Sequence, residues 1–244
     1  MSPKHVASCS FGKDSIATIL LALEHSEPLD EAVYCEVMFD DDTSGEVPEH
    51  QVFIYQAAIP ALEKLGVPVR VLRSEKTYTS VFMGKVTRGP KQGMIRSFPM
   101  CGKCYVQRDC KMHPIRQYQK TLPSDTVQYI GIAKDEPQRL ARLGGNQVSL
   151  LEKYGYTEDD AKQLCKQAGL LSPVYEFTDR GGCWFCPNAK LPELRHLYDH
   201  HPDLWQKMMR LQVVPGKVTE KFNRSQKFSD IDAMFREQDL QAAA

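Results

Sequence analysis

The sequence predicts an α/β fold, a parallel sheet sandwiched by helices, with a smaller cysteine-bearing segment and a helical tail. Three observations predict it. β-prone runs and helical patterns alternate along the first part of the chain, which is the signature of βαβ units. The first junction, Ser8-Cys9-Ser10-Phe11-Gly12-Lys13-Asp14-Ser15, is a tight turn carrying Gly, Lys and Ser between a strand and a helix. Past about residue 176 the alternation gives way to Cys183-Trp184-Phe185-Cys186-Pro187 and then to helical patterns alone. The expected division is therefore 1–176 for the α/β domain and 177–244 for a metal-binding Cys-x-x-Cys segment with its tail packed on it. A chain of 244 residues, 42% hydrophobic and 25% charged, suits one large core with an appendage. The formal net charge of zero gives no global pull toward nucleic acid or membrane. No apolar run approaches membrane-spanning length, and Met1-Ser2-Pro3-Lys4-His5 lacks the apolar core of a signal peptide, so a cytoplasmic protein is expected.

The elements follow in order. Val6-Ala7 enters the first turn, and Ile16, Ile19, Leu20 and Leu23 mark the helix after it. Strand, turn and helix make an anion cradle, because first-turn N–H groups point outward and the helix dipole favours negative charge there. Gly12 admits close approach, Lys13 brings charge, and the Ser10 and Ser15 hydroxyls can donate. The turn is not a Walker A loop, since Asp14 follows the lysine and no earlier glycine is present. A second strand, 32–39, runs into Asp40-Asp41-Asp42-Thr43-Ser44-Gly45-Glu46-Val47-Pro48-Glu49, an acidic string that reads either as a solvated turn or as part of a ligand site. A helix over 48–65 shows Phe53, Ala57, Ala61 and Leu65 on one face, stops at Gly66, and leads to a strand over 67–72.

Between Glu75 and Met100 the regularity fades, and Lys85, Arg88, Lys91 and Arg96 alternate with glycines. The stretch is either a solvated excursion or a lid whose four cations, with no carboxylate near them in sequence, meet a phosphate or sulfate. A strand over 127–132 then runs into Ala133-Lys134-Asp135-Glu136-Pro137-Gln138-Arg139, placing two carboxylates and an arginine at a strand end. Thr157 and Asp160 form a capping box for a helix that Gly169 ends. Tail helices are marked by Leu191, Leu194 and Leu197, by Leu204, Trp205, Met208 and Leu211 after Pro202, and by Ile231, Met234 and Phe235 after a Ser229 cap.

Eight cysteines in a reducing compartment favour metal or catalytic use over disulfides. Cys9, Cys35 and Cys165 sit in apolar patterns and read as buried small hydrophobes. Cys101/Cys104 and Cys183/Cys186 are two Cys-x-x-Cys pairs, each able to bite one metal, with redox disulfides as the alternative. Gly181-Gly182 would offer backbone N–H groups to the sulfurs, and Trp184 and Phe185 would screen them. Four thiolates suit a [4Fe-4S] cluster or zinc, and Cys110 is either a fifth ligand or a reactive thiol.

The string Ser10-Phe11-Gly12-Lys13-Asp14-Ser15 resembles the PP-loop of the ATP-pyrophosphatase superfamily, and within it the phosphoadenosine-phosphosulfate (PAPS) reductase-like branch. Asp42-Thr43-x-Gly45-x-x-Pro48-Glu49 resembles that branch's D-T-G-x-x-x-P-E-T segment, with Ser44 inserted and His50 in place of the last Thr. Lys111-x-x-Pro114-Ile115 and Gly131-Ile132-x-x-Asp135-Glu136-x-x-Arg139 resemble two further motifs, in family order. The resemblance covers roughly 8–211. It implies an adenine nucleotide α-hydrolase-like fold and a nucleotide, ATP or PAPS with Mg2+, held by Ser10, Phe11, Gly12, Lys13, Asp14, Ser15, Asp42 and Gly131. It also implies catalytic roles for Lys13, Asp14, Asp135 and Arg139, with Cys110 as the remaining nucleophile, and a [4Fe-4S] cluster on Cys101, Cys104, Cys183 and Cys186.

The resemblance implies an enzyme. ATP-using relatives split ATP between its α- and β-phosphates, adenylating a substrate that sulfur or nitrogen then attacks. Similar Gly-Cys-Trp-x-Cys strings occur in enzymes that put sulfur into DNA backbones. True reductases carry a nucleophilic cysteine in a C-terminal E-C-G-[IL]-H motif, and no cysteine follows Cys186 here. Adenylation coupled to sulfur transfer, with a nucleic acid or a sulfur-donor protein as partner, is therefore expected ahead of sulfonucleotide reduction. A metal-stabilised nucleotide-binding module without turnover is the third reading. The acceptor and the oligomeric state are not legible in the sequence.

Overall fold

The computed structural model describes residues 3–99 and 104–243. In chain order the first elements are β1 (His5–Cys9), α1 (Lys13–Glu24), β2 (Glu31–Glu36), α2 (Pro48–Phe53), α3 (Ile59–Lys64), β3 (Val69–Arg73) and α4 (Tyr78–Met83). There follow α5 (His113–Gln119), β4 (Val127–Ile130), α6 (Pro137–Leu140), β5 (Gln147–Val148), α7 (Leu150–Lys153) and α8 (Glu158–Gln167). The last three are α9 (Leu191–His200), α10 (Pro202–Gln212) and α11 (Phe228–Ala242). The chain packs as two compact units: 1–36, 47–73 and 113–181 form the first, and 37–46, 74–112 and 182–244 the second. The last crossing between them falls at Gly181/Gly182. Among the described residues no helix is long and apolar enough to cross a membrane.

The first unit contains a five-stranded sheet in the order β3-β2-β1-β4-β5, with every neighbouring pair parallel. The α/β architecture read from the alternating pattern is therefore what the chain forms. β1 lies at the centre, so the turn leaving its carboxyl end stands where an open parallel sheet places its ligands. α1 packs on α7 and α8 over Ile16, Ile19, Leu21 and Ala22. Because the helix is enclosed on more than one side, its buried set is wider than the predicted stripe, and Leu23 is 37% exposed.

The helix expected over 48–65 is continuous but not regular. Ile54–Ala58 forms a π turn, with the Ile59 N–H donating to the Ile54 carbonyl five residues back. Pro60 follows, lacking an N–H and crowding the carbonyl one turn earlier, and a widened turn accommodates it. The bulge shifts the buried face to Phe53, Ile54, Ala58 and Leu62, leaving Leu65 exposed. Gly66, at φ +84°, ends the helix as expected.

In the second unit, 37–39 do not continue β2 as the apolar run predicted. Gly45 N donates to the Val37 carbonyl and Phe39 N to that of Thr43, so the segment folds back on itself. The stretch read as irregular contains α4, closed by a capping box in which Thr77 and Ser80 exchange side-chain to backbone bonds. α11 begins at Phe228 with Lys227 as N-cap, whose N–H donates to Asp230, so Ser229 lies inside the first turn and is not the cap.

Candidate functional site

The turn after β1 is built tightly. Phe11 adopts φ +57°, a left-handed conformation costly for a side chain. It is held there by complete burial and an edge contact with Tyr34, ring centroids 5.1 Å apart. Gly12 caps α1, and the Ser15 hydroxyl donates to the Gly12 carbonyl at 2.9 Å while accepting from Ser10 N at 3.2 Å. Gly131, leaving β4, touches this first turn: a Cβ there would sit 2.8 Å from the Asp14 carbonyl carbon and 2.9 Å from Ser15 N. Only glycine lets β4 and the α1 first turn lie so close.

Lys13 is 7% exposed. Its ammonium lies 2.8 Å from Asp14 Oδ1 and 3.4 Å from Glu158 Oε2. Burial works to lower this ammonium, but the Asp14 bond and the Asp14 and Glu158 charges outweigh it and hold the pKa above the ordinary lysine value. For Asp14 burial is the largest influence and raises the carboxyl; Glu158 and Glu136 add to it, and Lys13 offsets only part. One lysine among several carboxylates makes a centre that answers a polyanion best when a cation accompanies it.

Several long-range partners hold the turn. Lys13 N–H donates to the Tyr175 hydroxyl at 2.9 Å. The Cys165 thiol, pushed up to about 12 by burial, donates to the Lys13 carbonyl at 3.1 Å. Buried His50 bonds Ser172 Oγ through Nδ1 at 2.8 Å and the Ser10 carbonyl through Nε2 at 3.3 Å. A carbonyl only accepts, so Nε2 carries the proton, and in the neutral ring Nδ1 accepts from Ser172. Sequence reasoning noticed His50 only as a departure and missed Tyr175 and Glu158 altogether. No local pattern could reveal Tyr175, which lies 162 residues from Lys13.

The other candidates differ in exposure and in the partners they hold. Asp135 is exposed and accepts from Glu158 N at 3.1 Å, at the start of α8. Arg139 is exposed and paired with Glu136. Asp42, in the second unit, is exposed, and its N–H donates to Asp40. Cys110 is completely buried, so the solvent-reachable thiol that a nucleophile needs is not what this position offers. Of the four loop cations, Arg96 comes within 3.9 Å of the Asp109 carboxylate, and Lys91 donates to the Val218 backbone carbonyl.

In the second unit Cys183 and Cys186 sit in a turn closed by Cys186 N donating to the Cys183 carbonyl at 3.0 Å. Cys183 bridges Glu46, Trp184 N bonds the Gly45 carbonyl, and Trp184 Nε1 bonds the Ser44 carbonyl at 2.9 Å. A Cβ at Gly45 would lie 2.6 Å from the Val37 carbonyl oxygen and 3.0 Å from the Phe185 ring. Ser44, Gly45 and Glu46, from the string read as a nucleotide segment, thus line the thiol turn. Gln107 N donates to Cys104 Sγ at 3.3 Å, a backbone N–H···S bond of the kind expected from Gly181-Gly182. Burial, above all, pushes the Cys183 thiol well up; Glu46, Cys186 and Cys104 add to this and Lys111 opposes it. Burial raises Cys104 too, against its backbone N–H bonds and together with Cys186. Three of the predicted ligands therefore share one neighbourhood; the fourth, Cys101, lies outside the described residues. Phe39, Tyr78, Trp184 and Phe185 pack on one another in the same unit, Tyr78 and Phe185 with centroids 4.2 Å apart. Soft donors behind an aromatic screen fit a thiolate-bound metal.

No family model matches the chain, and no curated protein matches it. Among solved structures it is similar to the U34-tRNA thiolase NcsA from Methanococcus maripaludis with its [4Fe-4S] cluster, at 18% identity and a TM-score of 0.42, over 84% of this chain and 67% of that one.

Proposed function

We propose that this protein is a PP-loop enzyme that binds an adenine nucleotide with Mg2+, adenylates an acceptor and passes sulfur to it, nucleic acid being among the acceptors. The observation that carries this reading is the turn at the carboxyl end of central β1, where Gly12 caps α1 and Lys13 lies buried between Asp14 and Glu158. The α1 N-terminus and Lys13 would hold phosphate oxygens, and Asp14 would face the accompanying Mg2+. The Tyr175 hydroxyl, now on Lys13 N–H, occupies a place that a phosphate oxygen could take. In the reaction an acceptor oxygen attacks the α-phosphorus and pyrophosphate leaves. A sulfur nucleophile then attacks the acceptor carbon, and AMP departs with the electron pair of the broken C–O bond.

Cys104, Cys183 and Cys186, with Cys101, would hold a [4Fe-4S] cluster or zinc. Such a centre supplies a site at which sulfur is bound or activated. The buried Cys110 argues against sulfonucleotide reduction, because that route needs a mobile thiolate. The test is calorimetric. Lys13→Ala should weaken ATP binding by about 1.5–3 kcal/mol, the scale of a lost charge-assisted bond. Wild-type protein should release AMP and pyrophosphate from ATP once the right acceptor is supplied, and no sulfite from PAPS. Unchanged ATP affinity in a folded Lys13→Ala protein would refute the nucleotide site.

A further inference from the structure

Tyr78, the first residue of α4, is fully buried. Its ring is fixed on two sides, against Phe39 at 5.1 Å and 16° and against Phe185 at 4.2 Å. Its backbone is fixed as well, Tyr78 N donating to the Met38 carbonyl at 2.9 Å. Yet the hydroxyl has no hydrogen-bond partner, one of two buried side-chain polar atoms so left among the described residues. Buried hydroxyls are almost always bonded, and a rigidly held exception asks what completes it. Phe185, which packs on this ring, lies in the chain between Cys183 and Cys186, so the ring that touches Tyr78 belongs to the thiol turn itself. A phenylalanine would fill the same apolar pocket without leaving a donor unmet.

We propose that the Tyr78 hydroxyl is a positioning donor to the metal centre, giving its hydrogen bond to a sulfur of the thiolate-bound group once metal is present. This rests on the metal reading above. A hydrogen bond to a metal-bound sulfur withdraws electron density from it, which stabilises the more negative state and slows loss of the metal.

The test compares Tyr78→Phe with wild type, loaded anaerobically with iron and sulfide or with zinc, and also stripped of metal. In the stripped protein the variant should melt at the same temperature or higher, because an unmet donor is gone. In the loaded protein the order should reverse, with metal passing to a chelator several-fold faster from the variant. For an iron–sulfur centre its midpoint potential should also move negative. A loaded Tyr78→Phe protein that keeps wild-type metal retention, and shows the same melting difference loaded as stripped, would overturn this inference and leave the metal reading intact. Wild-type protein that takes up neither metal would remove both. A variant less stable than wild type even without metal would show that the hydroxyl serves the fold, and would also overturn the inference.

Discussion

Around Lys13 the polar groups answer one another; beside Cys183 a hydroxyl is left over. The ammonium has two carboxylates, its N–H has Tyr175, its carbonyl has Cys165, and the preceding turn has His50. The thiol turn is walled by Phe39, Trp184 and Phe185, and Tyr78 there meets no partner. The difference teaches what each region asks of a ligand. The first is a satisfied polar network, so an incoming anion must exchange with bonds already made, which favours selectivity over raw affinity. In the second, on the proposed metal reading, binding would add bonds and displace protons.

The largest expected effect is on the second region. Cys186→Ser replaces a soft thiolate with a hydroxyl that does not ionise near neutral pH, so metal content should fall from one centre per chain to near zero. Metal analysis together with the visible spectrum checks it, an iron–sulfur protein losing its brown colour and a zinc protein its zinc. Full metal retention would mean that the thiols are not the ligands. The first region should be untouched by this change, and unaltered ATP affinity in Cys186→Ser would confirm that the two sites load independently.

Gly131→Ala is the next probe, aimed at the first region. The new Cβ would press on the Asp14 backbone at 2.8 Å, and backbone cannot swing aside as a side-chain tip can. Overpacking of this kind costs about 1–3 kcal/mol. Chemical denaturation should show that loss, and on the proposed reading ATP affinity should fall in parallel, because the displaced atoms would belong to the nucleotide cradle. A stability loss with affinity intact would mean that β4 moves while α1 stays.

These two probes also mark how far the sequence could be read. The α/β class and the turn after β1 were legible because their signals are local: a strand, a Gly-Lys turn and a helix lie within twenty residues. The Thr157 to Asp160 capping box and the Gly66 and Gly169 stops were legible for the same reason. What escaped needed distance or phase. Tyr175 and Glu158 reach Lys13 from the far end of the unit. The π turn at Ile54–Ala58 rotated a face whose periodicity had assumed 3.6 residues per turn. Gly131 and Gly45 were visible only as members of motifs, and the close packing of backbone or ring against each was not legible there. Cys110 could be sorted by elimination in sequence, but only its burial shows that solvent does not reach it.

The smallest effect is also the sharpest test of the polar network. Burial, with Glu158 and Glu136, raises the Asp14 carboxyl above its ordinary 3.8 despite Lys13. The folded protein therefore holds this proton more tightly than the unfolded chain does. That contribution to stability is complete below pH 3.8 and is lost as pH rises through the folded value. Lys13 does not confuse the acid range, because its own raised pKa matters only above its ordinary 10.5. Asn has the shape of the protonated acid and no charge to desolvate. Asp14→Asn should accordingly melt higher than wild type at neutral pH, and the gap should close as the pH is lowered toward 4. On the proposed reading the same variant should bind Mg2+-ATP more weakly, since the carboxylate that would face the cation is gone. A protein made more stable and less functional by one atom exchange is the pattern of a strained ligand site. If Asp14→Asn instead melts lower at neutral pH, then the bond to Lys13 outweighs the burial of the carboxylate, and the network serves the fold before it serves a ligand.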